Sequence, residues 1–258
     1  MTGNWFYDTD LILIFAVTIL VFSCALAAGY HLGRKASKLD GSDSQIHTLQ
    51  GAALGLLGLL LAFTFAMSAD RFSTRRQLVV DESNAIGTAF LRTKLLPEPF
   101  QTQLGALLRG YVNNRLEFYE ASNDPLKLQQ AAEKSTQIQD QLWQQTMLIN
   151  TADPHSIPSG LFTQSLNEVI DLNASRMAAL KNRIPDVILI LLFMAAIVTL
   201  GLMGYGTGLD QHRNFIPPLM MLILIAFTLL VIIDLDSPRT GLIRISQDSM
   251  FLLQQSLK

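Results

Sequence analysis

One stretch of this sequence carries hydroxyl and cationic side chains at a spacing that suits ion conduction. Six residues advance by four, three, four, three and four positions, which places all of them on one face of a helix. Around a symmetry axis, that face would supply a leucine constriction, hydroxyl rings that replace part of an ion's hydration shell, and an arginine mouth that attracts anions. Alternatively, the leucines contact lipid or neighbouring helices, and the arginines lie among lipid headgroups. This hydroxyl-arginine stripe consists of Leu57, Leu61, Thr64, Ser68, Arg71 and Arg75.

The adjacent face of the same helix carries a small-residue stripe. Small residues let two membrane helices approach closely, so this face is predicted to be a helix contact, either between subunits or against the first span of the same chain. A second stripe of glycines is weaker evidence of such a contact, because glycines so near a loop often only mark the end of a helix; it consists of Gly201, Gly204, Gly206 and Gly208. The small-residue stripe consists of Gly51, Gly55, Gly58 and Ala62.

The elements that must position these stripes are membrane helices. Half of the 258 residues are hydrophobic and 16% are charged, against about 25% charged in a soluble domain. Four runs reach the roughly 18 residues needed to suggest a bilayer span without an acidic or basic side chain, at residues 11–32, 51–69, 187–209 and 215–233. The sequence therefore predicts an all-α membrane protein with four transmembrane helices, arranged as residues 1–69 and 186–233 around an inserted domain.

The inserted domain, residues 70–185, is polar and predicted to be helical. Proline breaks divide it into four stretches whose apolar residues recur at three and four positions. Asp124 and Asp153 each precede a proline, as an N-cap residue does. Since no proline lies between Gly51 and Leu96, we expect the second helix to continue out of the membrane as a stalk, with Gly87 as a possible hinge. Residues 234–258 form a C-terminal tail.

Charged residues on the stalk and the tail are candidates for a docking contact. Arginine–carboxylate pairs between Asp81 or Glu82 and the tail would join the two segments at the bilayer surface, whereas the alternative is two sets of independently solvated charges. The candidate docking residues are Asp81, Glu82, Asp234, Asp236, Arg239 and Arg244.

Enzymatic and nucleic-acid functions find little support in the sequence. The four histidines are scattered, and neither a zinc motif nor a phosphate-binding glycine loop is present. Basic residues are few and balanced by acidic ones, unlike those of a nucleic-acid-binding protein. We therefore expect no catalytic site, no metal site, no cofactor and no nucleic-acid partner.

Several motifs resemble one family of membrane proteins. Residues 57–65 (LGLLLAFTF), 81–89 (DESNAIGTA), 95–97 (LLP) and the tail segment 233–244 (IDLDSPRTGLIR) are similar to the bacterial bestrophin-like family. The resemblance implies four spans with a helical domain after the second. By analogy with the pentameric bestrophin anion channels, it also implies an oligomer that conducts ions. The acidic cluster of a bestrophin calcium clasp is not evident, so calcium gating is not carried over.

Two functions remain open from the sequence. The first is a homo-oligomeric channel for anions or small ions, lined by the second helix. The second is a non-conducting scaffold or sensor whose helical domain binds a partner, with the glutamine-rich residues 128–145 as its surface. More arginines and lysines flank the spans on the side of the domain, which favours a bacterial inner-membrane protein with a cytoplasmic domain; the acidic residues before the first span and the basic residues after it favour the opposite orientation.

Overall fold

The structure is a computed structural model that describes residues 11–36, 43–121, 123–210, 214–239 and 241–257. Residues 1–10 and 37–42, which belong to the region 1–69 assigned above to the first two transmembrane helices but to neither predicted span, lie outside the described residues. Within the described ranges, every regular element is helical, and the fold class predicted from the sequence is confirmed. The helices are α1 (Leu11–Ala36), α2 (Asp43–Thr93), α3 (Phe100–Glu120), α4 (Pro125–Ala152), α5 (Ile157–Lys181), α6 (Asp186–Leu209), α7 (Ile216–Asp236) and α8 (Asp248–Ser256).

Four helical stretches are long and apolar enough to cross a membrane. They contain α1, α2, α6 and α7, the helices that carry the four predicted spans. The third stretch also includes α5, which is separated from α6 by a short non-helical segment before Asp186. The stretches are Leu11–Ala36, Gln45–Thr93, Ile157–Leu209 and Ile216–Asp236.

Helix α2 is the longest element, with 51 residues. At 1.5 Å per residue it measures roughly 75 Å, more than twice the hydrocarbon thickness of a bilayer. It passes through Gly87 without interruption and ends at Thr93, four residues before Pro97. The predicted extension of the second helix beyond its span is therefore present, and the expected hinge at Gly87 does not break the helix.

The chain divides into two compact units. The membrane unit comprises Met1–Arg71, Arg183–Ser237 and Gly241–Ile243, and the domain unit comprises Phe72–Asn182, Pro238–Thr240 and Arg244–Lys258. Helix α2 contributes to both units. The boundaries lie two or three residues from those drawn on the sequence at 69/70 and 185/186, and the end of the tail belongs to the domain unit.

Close backbone contacts hold part of the membrane unit together. Helix α1 packs along α6, and both helices pack against α7. A Cβ atom at Gly29 would overlap the carbonyl of Gly201, and one at Gly204 would overlap the carbonyl of Leu26. Glycine is therefore required here because the two backbones approach too closely for any side chain. The group beginning at Gly201, which the sequence left as a possible helix end, is a packing surface.

The domain unit is a helical bundle around an apolar core. Helix α3 packs against α4 and α8, and α4 packs against α5. Core residues include Ile86, Leu108, Leu142 and Phe162, each fully buried. These side chains come from four successive helical segments, which is why the three-and-four spacing of apolar residues identified the helices correctly.

One helix cap of this bundle lies where the sequence predicted it, and another does not. Asp124 is the N-cap of α4, and its carboxylate accepts the backbone N–H groups of Leu126 and Lys127. Asp153, predicted to cap the next helix, instead follows the end of α4 and accepts the N–H of His155 in a tight turn. Ser156 is the N-cap of α5. The prediction failed because a second proline, three residues after His155, opens the helix later in the chain.

Candidate functional site

The structure places the hydroxyl-arginine stripe inside the chain. Leu57 and Leu61 are 1% and 8% exposed and belong to an apolar core shared with Phe22 of α1, Leu189 of α6 and other side chains of the membrane unit. Side chains that fill this core are not available to surround an axis between subunits. The predicted pore face of α2 is therefore its inner packing face.

The two hydroxyls of this stripe are used within the chain. Thr64 donates a hydrogen bond of 2.8 Å to the carbonyl of Leu60, one turn earlier in the same helix. Ser68 donates one of 3.2 Å to the carbonyl of Ile232 in α7. Both side chains are buried. The hydroxyl of Thr64 therefore has its hydrogen bond within α2, and that of Ser68 joins α2 to α7. Buried hydroxyls commonly bond to backbone carbonyls in this way.

The two arginines of the stripe are also turned inward. The guanidinium of Arg71 lies 3.6 Å from the carboxylate of Asp236, which is fully buried and accepts the backbone N–H of Ile184 at 2.8 Å. Arg75 belongs to the domain unit, where it is 4% exposed. Arg71 is thus paired with an acid at the end of α7, and the cationic mouth expected from the sequence is not formed by this face.

The face of α2 that carries the small-residue stripe is open in the single chain. No described atom lies within 4 Å of the position that a Cβ would take at Gly51, Gly55 or Gly58, and Ala62 is exposed. This excludes packing of the small-residue stripe against α1 of the same chain. A contact of these residues between subunits stays a prediction.

Beside the small-residue stripe runs a second exposed series, advancing by four, three and four positions. Leu59 and Phe63 are 53% and 63% exposed, and Ala66 and Asp70 follow on the same side of the helix. We call these four residues the outer stripe. It changes from large apolar side chains to a carboxylate at the last turn before the domain unit begins. The sequence contains this series, but three of its four side chains are apolar and gave no sign of contact with ions, unlike the hydroxyls of the other face.

A buried ionic cluster forms the polar centre of the domain unit. Glu82 is fully buried, and its carboxylate lies 3.1 Å from the guanidinium of Arg115 and pairs with that of Arg176. The phenol of Tyr111 donates a hydrogen bond of 3.1 Å to Glu82. Burial, followed by the negative charge of Glu82, raises the pKa of the Tyr111 phenol, so this residue remains a neutral donor. Arg176 also donates to Gln247 of the tail.

Sequence reasoning assigned Glu82 to the correct region but to other partners. Arg115 and Arg176 were not selected, although Arg115 occupies an apolar position of α3. It follows Leu108 and Tyr111 by seven and four residues, so it lies on the buried face of that helix. A charged residue at such a position indicates a buried counter-charge, because an unpaired ion in a core is costly. That signal could have predicted the cluster.

The remaining docking candidates are used differently from the expectation. Asp81 accepts a hydrogen bond from Gln77, and Asp234 accepts the backbone N–H groups of Leu242 and Ile243. Gly241 has a φ of 117°, and a side chain there would overlap Asp234, so glycine is required in this turn. The carboxylate of Asp234 therefore organises the tail itself.

Tail and stalk do contact each other within the domain unit. The hydroxyl of Ser83 donates to the carbonyl of Ser249, at 2.9 Å. The guanidinium of Arg239 lies 4.3 Å from the ring centroid of Phe118 and donates to the Phe118 carbonyl. Arg244 lines a cavity in the same unit. The tail thus contacts the stalk through a neutral hydrogen bond, and the stacked Arg239 joins the tail to α3. The spacing of charges in the sequence could identify neither contact.

The chain is similar to known proteins in sequence and in fold. A family model described as the Bestrophin-like domain matches residues 16–250. The crystal structure of a bacterial Bestrophin homolog from Klebsiella pneumoniae is 16% identical and covers 96% of this chain and 97% of that chain, with a TM-score of 0.67. A variant of that homolog is 17% identical with a TM-score of 0.66, covering 95% and 97% of the two chains. A comparison with curated protein sequences gives no match.

At such low identity, the similarity to solved structures establishes the arrangement of helices. The family model adds a sequence relationship that extends over most of the chain and includes all four membrane helices, the domain and most of the tail. The two comparisons agree with the motifs read from the sequence. The chain is a membrane protein that belongs to the Bestrophin-like family.

Proposed function

We propose that this protein is a homo-oligomeric channel for small inorganic ions in which α2 surrounds the path. The observation that carries the proposal is the one-sided packing of α2 in the membrane unit. Five of the six residues of its hydroxyl-arginine stripe are buried in the chain and Arg71 is partly buried, while the small-residue stripe and the outer stripe are both open. The family relationship supports this reading, because bestrophins conduct ions through an axis shared by their subunits.

The two open stripes suit two different neighbours. Glycine and alanine at helical spacing let an α2 helix from an adjacent subunit approach closely. The outer stripe then faces the axis, where Leu59 and Phe63 form an apolar constriction that closes by excluding water. Closed symmetry with roughly four or more subunits would be needed to enclose such a path.

We infer the sign of the conducted ion from the charge at the end of the outer stripe. Asp70 is exposed on this side of α2, whereas Arg71 is paired with Asp236 on the other. A ring of carboxylates at the mouth of a path concentrates cations there. We therefore propose a preference for small cations, in place of the anions that an arginine mouth would attract.

The membrane and the orientation are also part of the proposal. We place the protein in the bacterial inner membrane with the domain unit in the cytoplasm. The support is the excess of arginine and lysine near the spans on that side, including Arg71, Arg176 and Arg183.

A non-conducting scaffold is the second candidate. The observation in its favour is the exposure of apolar side chains on α4, where Trp143 and Met147 are 38% and 57% exposed beside many glutamines. Such a surface could bind a protein partner. Stoichiometry separates the candidates, since a monomer or a compact dimer in detergent cannot enclose a path on a symmetry axis.

The ion preference is tested by reversal potentials across planar bilayers under a salt gradient. We expect Asp70→Asn to move the reversal potential away from the cation equilibrium potential, because the mouth loses its negative ring. The change should shrink as the screening length falls from about 10 Å at 0.1 M salt to about 3 Å at 1 M. Asp140→Asn, which removes an exposed carboxylate of α4, is the matched control and should have no effect.

Two outcomes would contradict the proposal. A correctly assembled oligomer that carries no current in any salt would favour the scaffold. A conducting oligomer whose reversal potential is the same with Asp70 and with asparagine at low salt would place the path away from the outer stripe.

A further inference from the structure

The domain unit contains a cavity that the proposed ion path does not use. Its volume is about 140 Å³, and it lies between α2, the end of α3, the end of α5 and the tail segment after α7. Tyr119, Glu120 and Arg244 of the lining are exposed, so the cavity is open to solvent. Its charged lining residues are Arg75, Arg176, Arg239, Arg244 and Glu120.

The residues that line the cavity and the buried ionic cluster beside it together carry more positive than negative charge. Arg176 pairs with Glu82, but the same carboxylate also faces Arg115, so one buried acid serves two arginines. The lining adds three further arginines and only one carboxylate, that of Glu120. The surroundings of the cavity are therefore cationic.

The titration of Arg239 is consistent with this excess. Burial, followed by the like charges of Arg115 and Arg176, lowers the pKa of Arg239 to about 10. An anion placed among these guanidinium groups would relieve the repulsion between them.

Three of these arginines are also held in place before any ligand arrives, and Arg244 is the exposed one. The guanidinium of Arg239 lies over the ring of Phe118 and donates a hydrogen bond of 3.2 Å to its carbonyl. Arg75 is 4% exposed, and Arg176 is fixed by Glu82. Apolar side chains, among them Val79 and Ile245, make up much of the remaining wall. Fixed donors in apolar surroundings bind charge more strongly than mobile donors in water.

We propose that this cavity binds a phosphate group, with Arg239 and Arg244 as its principal donors. Several guanidinium groups around one space match the tetrahedral oxygens of phosphate, which accept paired N–H donors. The volume of about 140 Å³ is large enough for one phosphate group. The group could come from free phosphate or from the headgroup of a phosphomonoester lipid.

This proposal is independent of the ion path, because it concerns the domain unit and is measured without any current. The test uses the full chain purified in detergent. Sodium phosphate is titrated against it by calorimetry, with sodium chloride at equal ionic strength as the reference. Thermal unfolding is followed in the same two salts. We expect saturable binding and a higher Tm in phosphate alone.

Three variants locate the binding. Arg244→Gln changes an exposed side chain and should weaken phosphate binding about tenfold or more, because a charge-assisted hydrogen-bond donor is lost. Glu120→Gln removes the only carboxylate among the described residues of the lining and should tighten binding by roughly two- to fivefold. Arg76→Gln is the matched control, since Arg76 is exposed on α2 but is absent from the lining, and it should bind as the parent does.

A second experiment, with lipid vesicles, decides whether the phosphate group comes from free phosphate or from a lipid. Phosphatidylcholine vesicles with and without phosphatidic acid are added to the same proteins. If free phosphate has no effect but phosphatidic acid raises the Tm in a manner that requires Arg244, the ligand is a lipid headgroup. If neither probe acts, or if both act equally on the parent, Arg244→Gln and Glu120→Gln, the proposal is overturned.

Discussion

Two glycine stripes in the membrane unit both have the three-and-four spacing of one helix face, but their surroundings differ. Gly204 and Gly208 of α6 face α1 so closely that a side chain at either would overlap its backbone. Gly55 and Gly58 of α2 have no described atom within 4 Å of a side-chain position. The first stripe joins two helices of one chain, and the second is available to another molecule.

The difference lies in whether the chain supplies a matching surface. Helix α1 carries Gly29 and Gly33 four residues apart, the same interval as Gly204 and Gly208. Two matched pairs allow both backbones to approach over a full turn. The small-residue stripe of α2 finds no such partner in the described chain. Spacing alone predicts that a close contact is possible, and the matched pair predicts where it occurs.

The largest effect is expected at the contact between α1 and α6. Gly204→Leu places a side chain against the backbone near Leu26, which can yield only if the helices separate. We expect a loss of stability of more than about 3 kcal/mol, beyond the usual cost of overpacking, together with a poor yield of folded protein. Thermal unfolding in detergent measures this effect.

Gly58→Leu is the matched variant on the open stripe. The unfolding of the single chain should change little, since nothing described outside the local helix lies within 4 Å of the position of its Cβ. The oligomer should weaken, as shown by a smaller mass in light scattering. Equal losses of chain stability at Gly58 and Gly204 would erase the distinction between the two stripes.

A smaller effect separates the two faces of α2. Leu61→Ala removes a side chain from the core of the membrane unit and should cost about 2–5 kcal/mol. Leu59→Ala makes the same change on the outer stripe, where 53% of the side chain is exposed, and should change chain stability by about 0.5 kcal/mol or less. Unfolding of the two variants under conditions that keep the protein monomeric compares them directly. A larger loss at Leu59 would mean that the faces have been assigned in reverse.

The helices were predictable from the sequence because their signals are local. Four long apolar runs, the absence of proline between residues 51 and 96, and the three-and-four spacing in α3 and α5 each act on neighbouring residues. The capping of α4 by Asp124 is equally local. No knowledge of the tertiary contacts was needed for these elements.

The faces of α2 were not predictable in the same way. Thr64 and Ser68 are polar, which suggested contact with ions, but a helix carbonyl satisfies a hydroxyl in an apolar environment equally well. The inward direction of Arg71 depends on Asp236, which lies 165 residues later in the chain. Which residues pair across such a distance depends on how the helices pack, and local patterns in the sequence do not reveal that packing.

The central claim is that the outer stripe, and not the hydroxyl-arginine stripe, faces the ion path. Cysteine accessibility tests it in the background Cys24→Ala, which removes the only natural thiol. Ion flux into liposomes is measured before and after a charged thiol reagent, for Ala66→Cys on the outer stripe and Thr64→Cys on the other face. We predict that the reagent abolishes most of the flux through Ala66→Cys and leaves that through Thr64→Cys and the background unchanged. Block at Thr64→Cys with none at Ala66→Cys would contradict the account.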